Sequence, residues 1–188
     1  MKKKIKIFFP YYLRWGLENS LLRISDLLVL DKYDIKIIGN NINKNNFKHL
    51  QNLEIVNINE IIKKSIFNKF LNNFLFKLII SSFICAKYSK TILTFQSPYI
   101  LIILNFFFKN IIFIRESSLI ELSTKKKLFM KIIKKLSWNF AHHIFCISKE
   151  SQKVNSKYLN YKHGNISTLY NPINFENLKK KANIKINF

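Results

Sequence analysis

Glycine and proline are scarce in this sequence, at 3 residues each among 188. There is no G-x-G-x-x-G and no P-loop, so nicotinamide-binding and nucleotide-hydrolase readings have no support. Cysteine is nearly absent too. Cys85 and Cys146 stand alone in apolar contexts without C-x-x-C spacing, which excludes a disulfide framework and reads as two buried, reduced thiols of a cytosolic protein. Long hydrophobic runs are missing. The most apolar stretch, Tyr99 to Phe108, ends at Lys109 and Asn110, short of the roughly 20 residues a membrane-spanning helix needs. Ile5 to Pro10 is interrupted by Lys6 and does not read as a signal peptide. Acidic residues are few: 10 Asp and Glu against 32 Lys and Arg give a formal charge of +22.

That basic excess has two readings. Lys, Asn, Ile and Phe crowd the whole chain, as a coding bias towards A and T would produce with no selection for charge. Alternatively the charge meets an anionic partner such as nucleic acid, a membrane face or a phosphorylated substrate. With hydrophobic residues at 48% and charged residues at 22%, the composition is that of a folded protein, and the length is that of one domain with a proper core.

Short apolar runs alternate with helical patterns. Strands are expected at 5–9, 35–38, 53–58, 91–95, 111–114, 143–147 and 166–170. Helices are expected over 17–28, over 60–87 with a break near Asn72-Asn73, after Ser97-Pro98, over 118–140 behind a Ser118 to Glu121 capping box, and after Ser148. Gly39 closes the second strand and the Asn-rich stretch 40–46 is a loop. Near-continuous apolar strands followed by helices predict an α/β, Rossmann-like parallel sheet of about seven strands with helices on both faces. Residues 1–175 would form the domain, and 176–188 a truncated linker.

In such sheets ligands bind beyond the C-terminal ends of the strands. Gly16 lies there, just before a helix, where backbone can approach an anion. Arg115 and Glu116 directly follow an apolar run, a position expected to keep them out of the deep core. Arg115 could grip a phosphate or carboxylate, and Glu116 could orient a sugar hydroxyl or act as a base. A solvated ion pair is the competing reading of those two. His142-His143 has no carboxylate or cysteine at ligand spacing and reads as a strand start; His49 and His163 are loop histidines, and no Ser–His–Asp arrangement is apparent.

Trp138 to Leu178, with Ala-His-His-Ile-Phe-Cys-Ile-Ser followed by a strand ending Tyr170-Asn171-Pro172-Ile173-Asn174, is similar to the end of the N-terminal domain of family 4 glycosyltransferases. Gly16 and Glu18 resemble that family's Gly-Gly-Ala-Glu loop, and Phe113 to Ser117 resembles the strand-end Arg-Glu of some polysaccharide-building members. The resemblance covers nearly the whole chain and implies the GT-B fold. It implies retaining transfer of a sugar from a nucleotide donor to a polysaccharide or lipid-linked acceptor, with no metal or other cofactor. It places Gly16 and Glu18 at the cleft, Arg115 and Glu116 (the catalytic candidate) at the acceptor or the transferring sugar, and Ser148 and Asn171 at the cleft floor and the crossing to the second domain. Trp15 and Leu17 replace usually small residues, and His142 and Asn174 stand where Asp is common.

The family's second domain, which carries the Glu-x7-Glu motif and holds the nucleotide, has no counterpart in these residues. A chain incomplete on its own is therefore expected, binding a nucleotide sugar only with a second domain or subunit. The alternative is a non-catalytic module holding an anionic acceptor or a membrane surface, for a cytoplasmic protein resting on the inner face of the plasma membrane. Specific nucleic-acid binding rests on charge alone and has no motif behind it.

Overall fold

A computed structural model describes residues 3–11, 17–31, 33–40, 42–50, 53–64, 74–88, 90–95, 99–117, 119, 128–162 and 164–171. The strands are β1 (Lys4–Tyr11), β2 (Asp34–Asn40), β3 (Leu53–Asn57), β4 (Thr91–Phe95), β5 (Ile111–Glu116), β6 (His143–Cys146) and β7 (Ile166–Thr168). The helices are α1 (Leu17–Leu30), α2 (Ile58–Lys63), α3 (Phe74–Tyr88), α4 (Tyr99–Phe107), α5 (Leu128–Phe140) and α6 (Lys149–Leu159). One seven-stranded sheet runs β3-β2-β1-β4-β5-β6-β7, and every pairing is parallel. The chain winds outward from β1 in both directions, so the topological switch lies between β1 and β4, where crossovers diverge and leave a crevice.

Both faces are covered. Ile7, Phe9, Ile35, Ile37, Leu93 and Phe95 pack with Leu21 of α1 on one side. On the other, Phe8, Ile38 and Ile92 meet Ile58 and Ile62 of α2 and Cys85 of α3. Farther along that sheet, Ile112, Ile114, Ile144 and Cys146 meet Ile102 of α4, Trp138 of α5 and Leu159 of α6. Alternate residues of each strand serve opposite faces, which is why the strands read as continuous apolar runs. The α/β architecture expected from the sequence is the one found.

Several local expectations hold. Ser148 Oγ accepts from the Ser151 N–H at 3.0 Å and caps α6. Cys85 and Cys146 are buried and free, and burial pushes both thiols up to about 12. His142 Nδ1 accepts from the Ile112 N–H at 3.1 Å, and His143 Nε2 lies 2.8 Å from Ser167 Oγ; the pair ties β6 to its neighbours on either side. Within the Asn-rich loop, Asn43 caps a 3-10 turn at Lys44–Phe47, and Asn57 brackets Ile42 by accepting from its N–H at 2.8 Å and donating to its carbonyl at 3.2 Å. The helix expected over 60–87 is found as α2 and α3; the break at Asn72-Asn73, the Ser97-Pro98 start, Ser118, Glu121 and the 175/176 boundary lie outside the described residues.

One expectation fails. Arg115 and Glu116 do not follow the strand; they belong to it, at 1% and 2% exposure. Arg115 is in register with Phe95 and Glu116 with Cys146, so pairing on both sides carries their burial to the strand's last residue.

Two predictions concern the central strands. Gly39 sits opposite Phe9, and a Cβ there would lie 1.9 Å from the Phe9 carbonyl oxygen. Backbone cannot give way as a side-chain tip can, so Gly39→Ala should cost at least about 2 kcal/mol; a denaturation midpoint equal to the parent's would contradict this close approach.

Lys6 is 1% exposed and its ammonium has no hydrogen-bond partner among the described residues. Burial pushes it down to about 8, with Cys85 opposing and Lys36 assisting. Its folded value lies below its unfolded one, so Lys6 penalises the fold below about pH 8, and the penalty fades as pH rises towards the unfolded value of about 10.5. Lys6→Met should therefore stabilise the protein at pH 7 by roughly 1–2 kcal/mol, less than the full shift implies because the surroundings relax around a buried charge. The gain should shrink at pH 10, and an equal gain at both values by urea denaturation would refute the charge argument.

Candidate functional site

The C-terminal edge of the sheet gathers residues from distant parts of the chain. Arg115, on the α1 side of β5, lies with its guanidinium carbon 5.2 Å from the Phe95 ring centroid. Its Nη2 donates to Asn171 Oδ1, and Ser20 Oγ of α1 donates to the same oxygen at 3.2 Å. Two donors on one amide oxygen, one of them a guanidinium, hold the segment after β7 against the helix that follows β1. Burial lowers the basicity of Arg115, although a guanidinium keeps its charge throughout the ordinary pH range. Stacking on Phe95 supplies part of what water would otherwise give.

The edge also carries unmet polar capacity. Arg115 Nε, Glu18 Oε1 in the first turn of α1 and Ser117 Oγ just past β5 are buried and have no hydrogen-bond partner among the described residues. Such atoms are rare in folded proteins and tend to mark places where a ligand or water completes the bonding. Here one cationic, one carboxylate and one hydroxyl group share the end of the sheet where α/β proteins bind ligands.

Arg115 and Glu116 are adjacent in sequence but serve opposite faces of the sheet. Glu116 lies on the side of α5 with Lys134 and Cys146; it raises the basicity of Lys134, against a larger lowering by burial, and it adds to the upward shift of the Cys146 thiol. Lys134 is itself 5% exposed. The structure thus gathers Arg115, Ser20 and Asn171 into one cluster and gives Glu116 a separate cationic neighbour. Ser148 is engaged as the α6 cap, and Gly16 lies outside the described residues. An open groove along α6 and β7, lined by Lys149, Gln152, Lys153 and Thr168 among others, contains none of the expected site residues. Among the described residues no group of His, Cys, Asp and Glu could hold a metal.

No family model matches the sequence, and no curated protein is significantly similar to it. Solved structures are similar in fold. HepE of Anabaena, in complex with UDP and glucose, superposes with a TM-score of 0.65 at 10% identity, over 96% of this chain and 50% of that one. A glycosyltransferase from Rickettsia africae gives 0.62 at 13%, over 98% and 46%. Phytolacca americana UGT2, complexed with UDP-2-fluoro-glucose and pterostilbene, gives 0.58 at 9%, over 96% and 56%. The fold is a Rossmann-like domain of the GT-B type. This chain spans about half the length of the structures it matches.

Ser20, Phe95 and Lys134 were not singled out from the sequence. Ser20 meets Asn171 across 151 residues, and no local pattern announces that contact. Lys134 did leave a signal: it precedes Ser137 and Trp138 by three and four residues, the spacing of one helix face, and Trp138 plainly belongs inside.

The shared oxygen of Asn171 yields a prediction. Asn171→Ala should cost about 1–2 kcal/mol, because it strands a buried guanidinium, whereas Ser20→Ala should cost less than about 1 kcal/mol. Equal losses in paired denaturation curves would show that Arg115 does not depend on Asn171.

Proposed function

We propose that this domain is the acceptor-side half of a retaining, family 4-like glycosyltransferase, working with a donor-binding half in the same or another polypeptide. The reaction is transfer of a sugar from a nucleotide donor to a polysaccharide or lipid-linked acceptor. The observation that carries the reading is the buried, incompletely bonded Arg115 and Glu18 at the strand ends of a fold shared, over 96% of the chain, with half of a protein that holds UDP and glucose.

Arg115 is suited to a phosphate or carboxylate, since a fixed cation in a water-poor site stabilises developing negative charge without reorganising. Asn171 covers it, so ligand access requires that side chain to swing aside. Glu18, with Gly16, borders the cleft and accepts an acceptor hydroxyl. Glu116 is the candidate catalytic carboxylate, with Lys134 as its cationic neighbour. Ser148 and Asn171 shape the cleft floor. The resemblance around Tyr170-Asn171-Pro172 supports the same assignment, because Asn171 accepts from Arg115.

The test pairs the folded chain, fused or in trans, with a donor-binding GT-B half and follows UDP release from UDP-sugars in the presence of lipid-linked and glycan acceptors. Turnover is expected from the pair and not from the chain alone. Glu18→Gln and Arg115→Ala should each lower kcat by about a hundredfold or more. No turnover in any folded pairing, or turnover indifferent to both substitutions, would sink the reading; brisk turnover by the chain alone would remove the need for a second half.

A further inference from the structure

The helix α5 is inside out in one respect. It buries Lys134 at 5% exposure and leaves Leu128 76%, Phe129 71%, Ile132 50% and Leu136 42% exposed. Spacings of three and four residues put those four on one stripe, directly away from the buried side of Lys134, Ser137 and Trp138. A helix on a water-exposed sheet normally shows polar residues there.

The stripe does not end with α5. Phe106 of α4 stacks on Phe140 with ring centroids 4.3 Å apart, and Phe107, next to it, is 72% exposed. Phe108, just past α4, meets Phe83 of α3 edge-on at 5.4 Å, and both are exposed. An apolar ridge therefore links α3, α4 and α5 along their outer side. These helices contain no Asp or Glu, while Lys77, Lys87, Lys131 and Lys135 lie on α3 and α5 and Lys109 closes α4.

We propose that this face docks on an anionic lipid bilayer surface. Apolar and aromatic side chains would enter the boundary between headgroups and acyl chains, with lysines at headgroup level, the arrangement of interfacial helices. Charge selects this occupant. A second copy would set lysines against lysines with no carboxylate to relieve them, in a chain of formal charge +22. Nucleic acid would engage the lysines and leave the aliphatic stripe wet. Among the described residues no helix is long and apolar enough to cross a membrane, so this docking is peripheral. The inference stands on α3 to α5 alone and is independent of the catalytic reading.

Flotation of the full chain with phosphatidylglycerol-containing vesicles, with pure phosphatidylcholine vesicles and without vesicles tests it, alongside light scattering for oligomeric state. Flotation is expected with the anionic vesicles at low salt and not with neutral ones. The Leu128→Ser, Phe129→Ser double variant should partition at least about tenfold less, because two largely exposed apolar contacts are lost, and the separate Phe107→Ser variant should weaken it in the same direction. Both alter exposed residues, and unchanged circular dichroism establishes their folding. The proposal is overturned if the parent stays with the unbound protein at low salt, if both folded variants float as the parent does, or if the stripe instead holds a dimer that the double substitution dissociates.

Discussion

The parallel pairing of β1 with β2 on one side and β4 on the other is the constraint on which the rest of this structure depends. It requires the backbones of Phe9 and Gly39 to approach more closely than any Cβ would permit, and it places the topological switch at β1. Because all strands run the same way, their C-terminal ends share one edge. The first turn of α1, the end of β5 and the segment after β7 meet there as a consequence of sheet order. Asn171 joins Ser20 and Arg115 only because seven strands stand in that sequence; the contact would be lost if any crossover changed direction.

Burial at that edge makes the cluster chemically distinctive. Arg115 has given up water for an aromatic ring and one amide oxygen, with Nε left over. A guanidinium in that condition interacts more strongly with an incoming anion than an exposed lysine would, since there is little water to screen it. Nearby Glu18 also keeps an unmatched oxygen. Part of the unmet polar capacity of the described residues thus lies where parallel α/β sheets bind ligands, while the groove along α6 and β7 is lined by side chains that water can reach.

The central strands were readable because apolar residues dominate both of their sides, as in β4 and β5. Helix starts were readable where a hydroxyl cap leaves a local mark, as at Ser148. Arg115 and Glu116 were misjudged in depth because charge suggests solvent, whereas their neighbours in β4 and β6 extend far enough to enclose them. Their separation onto opposite faces follows from strand alternation alone once both are placed within β5. Ser20 and Asn171 could not be paired from sequence, since nothing local encodes a contact across the sheet. Lysine was the most misleading residue. Lys6, Lys36 and Lys134 are all buried; Lys36 reaches Glu54 at 2.6 Å, and Glu116 acts electrostatically on Lys134. Lysines in the interior fit a compositional drift towards lysine better than selection for a uniformly basic surface.

Drift towards A and T enriches isoleucine and phenylalanine as well as lysine, but it scatters them and does not by itself align four apolar residues on the outward side of one helix. That same helix, α5, turns Lys134 inward to Glu116 and Leu128, Phe129, Ile132 and Leu136 outward. A helix packed through Trp138 into the core moves as a rod rather than bending residue by residue. Whatever fixes its outer stripe therefore also fixes the position of the cation beside Glu116. A lipid surface held against α5 would bring the strand-end edge close to the bilayer and restrain that edge's orientation, which is the geometry a domain needs if its acceptor is carried on a lipid.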